Sequence, residues 1–354
     1  MALPSKRKIL FLYSQGGEII TGGQKYEDRL YRELQTAEGL QVERRWLNNI
    51  SGKISKYTSP LRNLRLLRSL RDYDLIFFNS VDGLPFIPLA WCLRFLCRQH
   101  TSVIHHHFLY REKTGVRRLW YKLLEKGFMR VSTTIAVPSP YINDLCRRMF
   151  PRHPLRYWQI PFEGIAPLAP APVPGNLLYI GTIEPRKGLM YLLDAMTMLR
   201  DRGVDVRLTV VGKTVNPSYR ALLDEKIAAQ GLSVRFTGYI SLEEKERIMS
   251  ETDVFTFPSL MEGYGMVLCE SMVRSIPCVT FDNSAMPYTV HHMENGLLCP
   301  DRDTAALAAA IERIVTDRPL RSRLAAGAIA TSATFMTPSR FRALVTSDVA
   351  ALAL

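Results

Sequence analysis

The stretch from Asp253 to Glu270, DVFTFPSLMEGYGMVLCE, constrains the fold of this 354-residue chain more than any other. Its apolar run, Val254 to Phe257, predicts a buried strand, and the residues after Gly265 predict the start of a helix. In the loop between them, Gly263 and Gly265 allow the backbone to take positive φ and to approach a ligand closely. The sequence therefore predicts a strand, a glycine-rich loop and a helix in succession, as in a parallel α/β sheet.

The same loop carries groups that indicate a ligand. The amides of Gly265 to Leu268 have no partner within the helix, and the helix dipole there favours an anion such as a phosphate. Glu262 and Glu270 flank the loop with seven residues between them. Ionised carboxylates suit sugar hydroxyls rather than phosphate, because they accept strong hydrogen bonds. The implied ligand is a nucleotide-sugar, with Glu262 on the transferred sugar and Glu270 on the ribose. The alternative is a plain helix start with two surface glutamates.

The segment EGYGMVLCE resembles the E-x7-E signature of retaining glycosyltransferases of the GT-B fold, family 4, also called glycosyl transferases group 1. The resemblance is strong over residues 177–314 and weaker, though consistent, over the first half. It implies an α/β protein with two Rossmann-like domains facing across a cleft, the donor mainly on the second and the acceptor mainly on the first. It also implies donor contacts from one run of residues: Gly263, Tyr264, Gly265, Met266 and Val267, together with Glu270.

Chain length and composition agree with two domains, because 354 residues exceed what one core usually supports. Alanine, proline and glycine crowd residues 164 to 175, the one linker-like segment of the sequence. We predict a first domain over residues 1–164, a linker over 165–176 and a nucleotide-sugar-binding domain over 177–337. A terminal helix, residues 338–354, is expected to return to the first domain if the resemblance holds.

Other motifs match the family at single positions. Gly22 and Gly23 match its first glycine loop, which faces the donor phosphates, although a plain turn is the alternative. Gly181 opens a loop in which Arg186 and Lys187 would clamp a diphosphate and offset charge on the leaving group. This loop carries Thr182 where many members have arginine, and Arg186 would supply that charge. The turn at Tyr239 and Ile240 matches the one that meets the nucleotide base.

Three consecutive histidines, His105, His106 and His107, follow an apolar run that ends at Ile104. In a strand they would alternate sides, so they do not form one metal site. Family members commonly end this strand in a histidine that contacts the transferred sugar. His107 fits that position best and His105 second, and a packed or solvated histidine is the alternative.

The net charge of +13 predicts an anionic partner. The segments 61–72 and 109–130 concentrate the basic residues, interleaved with leucines and aromatics. No nucleic-acid-binding motif accompanies them, so anionic lipid headgroups are the favoured partner, and a solvated helix face is the alternative.

Six scattered cysteines fit buried thiols in a reducing compartment. The first residues contain only a short apolar run, which predicts a first strand and no signal peptide. We therefore expect a cytoplasmic protein, with peripheral attachment to the inner face of the membrane as a further option. No metal and no cofactor are expected, because the nucleotide-sugar is a substrate.

Together these observations predict a retaining hexosyltransferase that uses a UDP- or GDP-sugar and acts on a glycan or lipid-linked acceptor, in cell-surface polysaccharide synthesis. Glu262, His107, Arg186 and Lys187 are the expected catalytic residues. Two alternatives stay open: a nucleotide-sugar epimerase of the same fold, and a non-enzymatic basic protein that binds lipid or nucleic acid.

Overall fold

The computed structural model describes residues 6–13, 22–46, 67–80, 83–162 and 169–353. They form two compact units, one of Met1–Pro161 with Met336–Leu354 and one of Phe162–Phe335. Within the described residues each unit contains a six-stranded sheet whose strand pairs are all parallel. The predicted α/β fold with two Rossmann-like halves is confirmed.

The first unit is built on strands β1 to β6, in the spatial order β2-β1-β3-β4-β5-β6. The strands are β1 Arg7–Tyr13, β2 Leu40–Trp46, β3 Leu75–Asn79, β4 His100–Ile104, β5 Thr134–Val137 and β6 Leu155–Tyr157. The helices are α1 Gly22–Gln35, α2 Leu67–Leu70, α3 Ile87–Trp91, α4 Gly115–Val131 and α5 Pro140–Met149. A π-helical turn, Cys92–Leu96, extends α3, and 3₁₀ turns cover Leu84–Phe86 and Leu109–Glu112.

Both faces of this sheet are covered, as continuous apolar strands require. Leu10 and Phe78 belong to a core cluster with residues of α3 and α4. Phe11 follows Leu10 in β1 and is paired with Phe77 of β3. The ring centroids of Phe11 and Phe77 lie 4.8 Å apart, and the Phe77 ring in turn contacts Trp158. The order of the strands reverses direction between β1 and β3, so the carboxyl ends of these two strands are where a ligand site is expected.

The second unit is built on strands β7 to β12, in the order β12-β11-β10-β7-β8-β9. The strands are β7 Asn176–Ile180, β8 Arg207–Val211, β9 Val234–Gly238, β10 Val254–Phe257, β11 Cys278–Phe281 and β12 Gly296–Cys299. The helices are α6 Leu189–Asp201, α7 Pro217–Gln230, α8 Leu242–Ser250, α9 Met266–Met272, α10 Thr304–Thr316 and α11 Arg318–Ser332. Pro185–Lys187 and Met286–Tyr288 are 3₁₀ turns.

The second sheet reverses its strand order between β7 and β10. The loop after β7 contains Arg186 and Lys187, and the loop after β10 contains Glu262. The topology therefore places both loops at one switch point. Gly296 begins β12. A Cβ at that position would lie 2.4 Å from the carbonyl oxygen of Cys278, so the strands approach too closely for a side chain.

The last helix, α12 (Pro338–Leu352), packs against α1 in the first unit. Asp348 accepts a hydrogen bond from the Trp158 indole at 2.7 Å, and Arg7 donates to the carbonyl oxygen of Ala353 at 2.9 Å. The Thr337 side chain caps the start of this helix by accepting from the amide of Arg340.

Two predictions fall partly outside the described residues. Of the basic segment 61–72, the structure describes the residues from Leu67 onward, with a short helix at Leu67–Leu70. Of the linker 165–176, it describes residues 169–176, and the predicted domain boundaries stay a prediction.

Candidate functional site

Two loops meet at the switch point of the second sheet. The amide of Leu260, after β10, donates to the carbonyl oxygen of Arg186, after β7, at 2.9 Å. Gly188 begins α6 with φ of +75°, and a Cβ there would lie 1.8 Å from the carbonyl oxygen of Pro258. Because a side chain has no room there, glycine is what lets the two loops touch. This contact fixes the basic pair Arg186 and Lys187 beside the loop that carries Glu262.

Glu262 is the centre of this cluster. Its Oε1 accepts hydrogen bonds from Lys187 Nζ and, at 2.8 Å, from the Ser259 hydroxyl, and Arg186 Nη1 lies 3.8 Å away. Only 12% of the Glu262 side chain is exposed. Burial by itself raises the pKa of this carboxyl, but the charges of Lys187 and Arg186 outweigh burial and hold the pKa below its usual range. Glu262 is therefore an ionised hydrogen-bond acceptor at neutral pH.

Arg186 is held in place by neighbours on both loops. Its Nη1 donates to the carbonyl oxygen of Met261 at 2.8 Å, and its Nη2 donates to Glu184 at 2.9 Å. The Thr182 hydroxyl donates to the same oxygen of Glu184 at 2.9 Å. Thr182, which replaces the arginine of many family members, thus orients the carboxylate that orients Arg186. A third of the Arg186 side chain is exposed, so a ligand can reach it.

A third loop, after β11, completes the support of Glu262. The Glu262 amide donates to the Ser284 hydroxyl at 3.0 Å, and that hydroxyl donates to Asn283 at 2.8 Å. Asn283 in turn donates to the carbonyl oxygen of Ser259 at 3.1 Å. Ser284 has φ of +45°, a conformation that serine seldom adopts. Ser259, Asn283 and Ser284 were not predicted, and Asn283 and Ser284 reach this loop only because β10 and β11 are adjacent.

The predicted donor-binding run continues into α9. Gly265 has φ of +84° and begins this helix without a side-chain hydrogen bond to cap it. Gly263, Met266 and Val267 are partly exposed around this turn. The ring centroid of Tyr264 lies 6.0 Å from that of Phe162. A helix start that lacks a side-chain cap leaves amides for another acceptor.

Glu270 lies one turn further along α9, where it forms an ion pair with Lys245 at 2.5 Å. About a quarter of each side chain is exposed. The carboxylate is thus within reach of a ligand, as contact with a ribose requires.

The two remaining predicted sites of this unit lie at other strand ends. Gly181 follows β7, and its amide donates to the carbonyl oxygen of Val211 at 2.9 Å. Tyr239 follows β9 and is 89% exposed, whereas Ile240 is half-buried. Since β8 lies between β7 and β9, Tyr239 is set apart in the sheet from the cluster around Glu262.

In the first unit, a buried carboxylate lies at the switch point. Glu27 of α1 is 2% exposed, accepts a hydrogen bond from Asn79 at the end of β3, and lies 2.6 Å from His106 Nε2. Gly22 and Gly23 are the first residues of α1, and a Cβ on Gly23 would lie 3.2 Å from the His106 ring. Residues 14–21 of the predicted glycine loop lie outside the described residues. The sequence analysis missed Glu27, which shares a helix face with buried apolar residues.

The three histidines occupy different surroundings. β4 ends at Ile104, so the expected alternation of sides does not continue through them. His105 is completely buried against Phe108, with ring centroids 4.2 Å apart, and burial lowers its pKa well below the usual value. His106 pairs with Glu27, and His107 is 37% exposed with Nε2 3.7 Å from Glu112. Of the two histidines considered for the sugar contact, only His107 is accessible.

Within the part of the chain that the structure describes, no three His, Cys, Asp or Glu side chains are grouped so as to hold a metal ion. Asp303 has a structural role, because it caps α10 by accepting from the amide of Ala306 at 2.9 Å. No helix among the described residues is long and apolar enough to cross a membrane.

Comparison with known proteins agrees with this geometry. Residues 171–331 match the family model described as glycosyl transferases group 1. Over 154 residues the chain is 32% identical to the α-D-kanosaminyltransferase of Streptomyces kanamyceticus, covering 43% of this chain and 39% of that protein. It is 35% identical over 158 residues to the phosphatidyl-myo-inositol mannosyltransferase of Mycobacterium leprae, covering 43% of this chain and 41% of that protein. The matched stretch thus spans about two fifths of these curated relatives.

The fold has close counterparts among solved structures. The Anabaena protein HepE in complex with UDP and glucose matches with a TM-score of 0.75 at 17% identity, over 97% of this chain and 99% of that one. A sucrose-phosphate synthase from Thermosynechococcus elongatus matches with a TM-score of 0.80 at 18% identity, over 98% and 99%. The chain has the GT-B fold, and residues 171–331 are similar to the glycosyl transferases group 1 family.

Proposed function

We propose that this protein is a retaining glycosyltransferase. It moves a hexose from a UDP- or GDP-sugar to a hydroxyl of a glycan or of a lipid-linked sugar, in the synthesis of cell-surface polysaccharide. The nucleotide-sugar is a substrate, and the scheme requires no metal cofactor. The acceptor lies mainly with the first unit and the donor with the second.

One observation carries the proposal: an ionised carboxylate and two cations lie together at the switch point of the second sheet. Glu262 is held by Lys187 and Ser259, and the Arg186 guanidinium lies 3.8 Å from it. Cations at this position bind a diphosphate, whereas the carboxylate binds a sugar hydroxyl. A nucleotide-sugar has both chemical groups side by side, so it satisfies the whole cluster.

The cluster suggests how transfer proceeds. Arg186 and Lys187 stabilise the negative charge that develops on the diphosphate as the anomeric C–O bond breaks. The departing phosphate oxygen then takes the proton of the acceptor hydroxyl on the same face, which retains the anomeric configuration. Because Lys187 also binds Glu262, a shift of Lys187 toward the phosphate would leave Glu262 free to accept from the sugar. No carboxylate nucleophile is needed in this scheme.

In the first unit we assign the contact with the transferred sugar to His107. This side chain is partly exposed, whereas His105 is buried and His106 is held by Glu27. Gly22 and Gly23, at the start of α1, are assigned to the donor phosphates. Replacement of His107 by alanine is expected to lower turnover while thermal stability stays within about 0.5 kcal/mol of the wild type, as for other exposed positions.

The comparisons support the proposal through the named activities of relatives. One relative is named for kanosaminyl transfer and two for mannosyl transfer, one of them in an O-antigen chain. HepE has been solved with UDP and with UDP-glucose. These activities and ligands belong to those proteins, and they favour a sugar nucleotide as the donor here.

The test is a measurement of nucleoside diphosphate release from UDP-, GDP- and ADP-sugars, with sugar acceptors or water. We expect release with one base only. Replacing Glu262 by glutamine keeps the shape and removes the charge, and it should lower kcat by about 100-fold or more, the usual cost of one transition-state contact. Nucleotide binding should be retained within a few fold.

The matched control is Glu251→Gln, which neutralises an exposed glutamate that is ion-paired with Arg247 just after α8 and should leave kcat unchanged. Equal activity of Glu262→Gln and the wild type would contradict the assignment of Glu262. An epimerase would instead convert the nucleotide-sugar into its epimer without transfer to an acceptor, which NMR of the product distinguishes from transfer. Failure to turn over any nucleotide-sugar would contradict the proposed function.

A further inference from the structure

Helix α4, Gly115–Val131, has a second apolar face that points to solvent. Val116, Leu119, Trp120 and Leu123 are 85%, 59%, 54% and 58% exposed. Their spacing of three, four and seven residues from Val116 places them on one side of the helix. The core side of the same helix carries Phe128 and Met129. A helix face that only meets water is polar, so this stripe of four large apolar side chains calls for a partner.

The neighbouring helix also exposes large apolar side chains. α3 and its π-helical extension pack beside α4, and Arg94 Nη1 donates to the carbonyl oxygen of Arg130 in the last turn of α4 at 2.7 Å. On this neighbour Trp91, Phe95 and Leu96 are 47%, 53% and 63% exposed. The Trp91 and Phe95 rings lie 5.6 Å apart. These residues and the stripe on α4 together form what we call the α3–α4 patch.

The patch is also strongly cationic. Basic side chains surround or precede the stripe: Lys113, Arg117, Arg118, Lys122, Lys126 and Arg130. The two nearby carboxylates already have partners. Glu125 is buried and accepts hydrogen bonds from the amides of Leu109 and Tyr110, and Glu112 lies 3.7 Å from His107 Nε2. Large apolar and aromatic side chains flanked by lysine and arginine are the composition of a helix that lies in a bilayer interface.

We propose that the α3–α4 patch docks on the surface of an anionic lipid bilayer. The apolar stripe of α4 enters the boundary between headgroups and acyl chains, and the flanking cations bind the headgroup phosphates. A symmetric dimer through this face would set like charges of two copies against each other, which disfavours self-association. A nucleic acid would bind the cations but would leave the aliphatic stripe unpartnered. Only the consequence for transfer, access to a lipid-linked acceptor, rests on the proposed function.

The experiment is flotation of the full chain with vesicles of phosphatidylcholine alone and of phosphatidylcholine mixed with phosphatidylglycerol. We expect binding to the anionic vesicles only, and weaker binding at high salt. Two double variants separate the two contributions: Leu119→Asp with Leu123→Asp, and Lys122→Glu with Lys126→Glu. Each interfacial cation contributes about fivefold in affinity, so removing both should cost about 25-fold or more, and the leucine pair a similar loss.

Matched controls lie on the second unit. Leu222→Asp changes a leucine that is 55% exposed on α7, and Arg323→Glu reverses an exposed charge on α11. Both should bind vesicles as the wild type does. Since the substituted leucines are more than half exposed, the patch variants should fold, which an unchanged melting temperature and an unchanged response to nucleotide would verify.

Several outcomes would overturn the proposal. One is a folded, monomeric wild type that does not float with anionic vesicles. Another is binding that the leucine variants leave intact. A dimer that Leu119→Asp with Leu123→Asp dissociates, in the absence of vesicle binding, would assign the patch to a second copy. Binding of DNA that only the lysine variants weaken would assign it to nucleic acid. None of these results depends on turnover of a nucleotide-sugar, so they are separate from failure of the proposed function.

Discussion

At the scale of single residues, the candidate site depends on close backbone contacts as much as on charged side chains. Gly188 lets the loop after β7 touch the loop after β10, and the contact sets Lys187 against Glu262. Ser284 adopts a positive φ, and its hydroxyl accepts a hydrogen bond from the amide of Glu262. The geometry of the carboxylate therefore follows from residues that have no charge of their own.

Gly188→Ala should be strongly destabilising. A left-handed backbone conformation destabilises the folded state by about 1–2 kcal/mol when the residue has a Cβ. Here the alanine Cβ would also lie 1.8 Å from the carbonyl oxygen of Pro258, which is a steric clash. We expect a total loss above about 2 kcal/mol in denaturant unfolding, with loss of donor binding. The control is Gly203→Ala, which has the same φ of +75° and open space around the Cβ position. Equal losses in the two variants would show that the contact between the loops is unimportant.

Asp253, the first residue of the central stretch, holds the second unit together from inside. It is fully buried, accepts from Arg318 at 2.9 Å and Arg321 at 3.1 Å, and accepts from the Gly175 amide at 3.0 Å. Asp253→Ala leaves these donors unpaired and should cost about 3–5 kcal/mol in the free energy of unfolding. Asp201→Ala, which breaks an exposed pair with Arg200, should cost less than about 1 kcal/mol.

At the scale of elements, strands in the middle of the sheets were predicted well. β1 and β10 occur where short apolar runs predict them, because strands buried on both faces carry that signal in the chain itself. β2, LQVERRW, was missed because it is an edge strand with charged residues, and β6 is only three residues long. The π-helical turn after α3 has no local pattern that would have predicted it.

The attachment of α4 to the first unit is expected to depend on pH. The Glu125 carboxylate on this helix accepts from the amides of Leu109 and Tyr110, yet burial raises its pKa to about 7. A carboxyl whose pKa is higher in the folded state stabilises the fold at low pH, and that contribution is lost as pH rises through about 7. The loss is at most about 3 kcal/mol between pH 4.5 and pH 8. Unfolding free energies across this range, compared with Glu125→Gln, measure it, and an identical pH profile in the variant would contradict the assignment.

At the scale of the whole molecule, the sequence predicted the fold and the identity of the charged groups better than it predicted their partners. Glu262, Arg186 and Lys187 were named from their motifs, but the hydrogen bonds of Arg186 to Met261 and of Lys187 to Glu262 join loops that are 75 residues apart in the sequence. The same holds for His106, whose pairing with Glu27 spans β4 and α1. Such contacts depend on strand order, which a linear pattern does not encode.

The central claim is that the second unit binds a nucleoside diphosphate sugar, and ligand-dependent thermal stability tests it most directly. The panel is UDP, GDP, ADP and their sugars with the wild type, Glu270→Ala and Lys245→Ala. A ligand at about 100 times its dissociation constant should stabilise the wild type by about 2.7 kcal/mol. Lys245→Ala removes the same ion pair but keeps the carboxylate, so it separates a ribose contact from a structural one.

We predict stabilisation that is selective for one base, lost in Glu270→Ala and retained in Lys245→Ala. Loss of the effect in both variants would mean that the ion pair shapes the site and that Glu270 does not bind the ribose. A wild-type protein that no nucleotide stabilises would contradict the donor site itself.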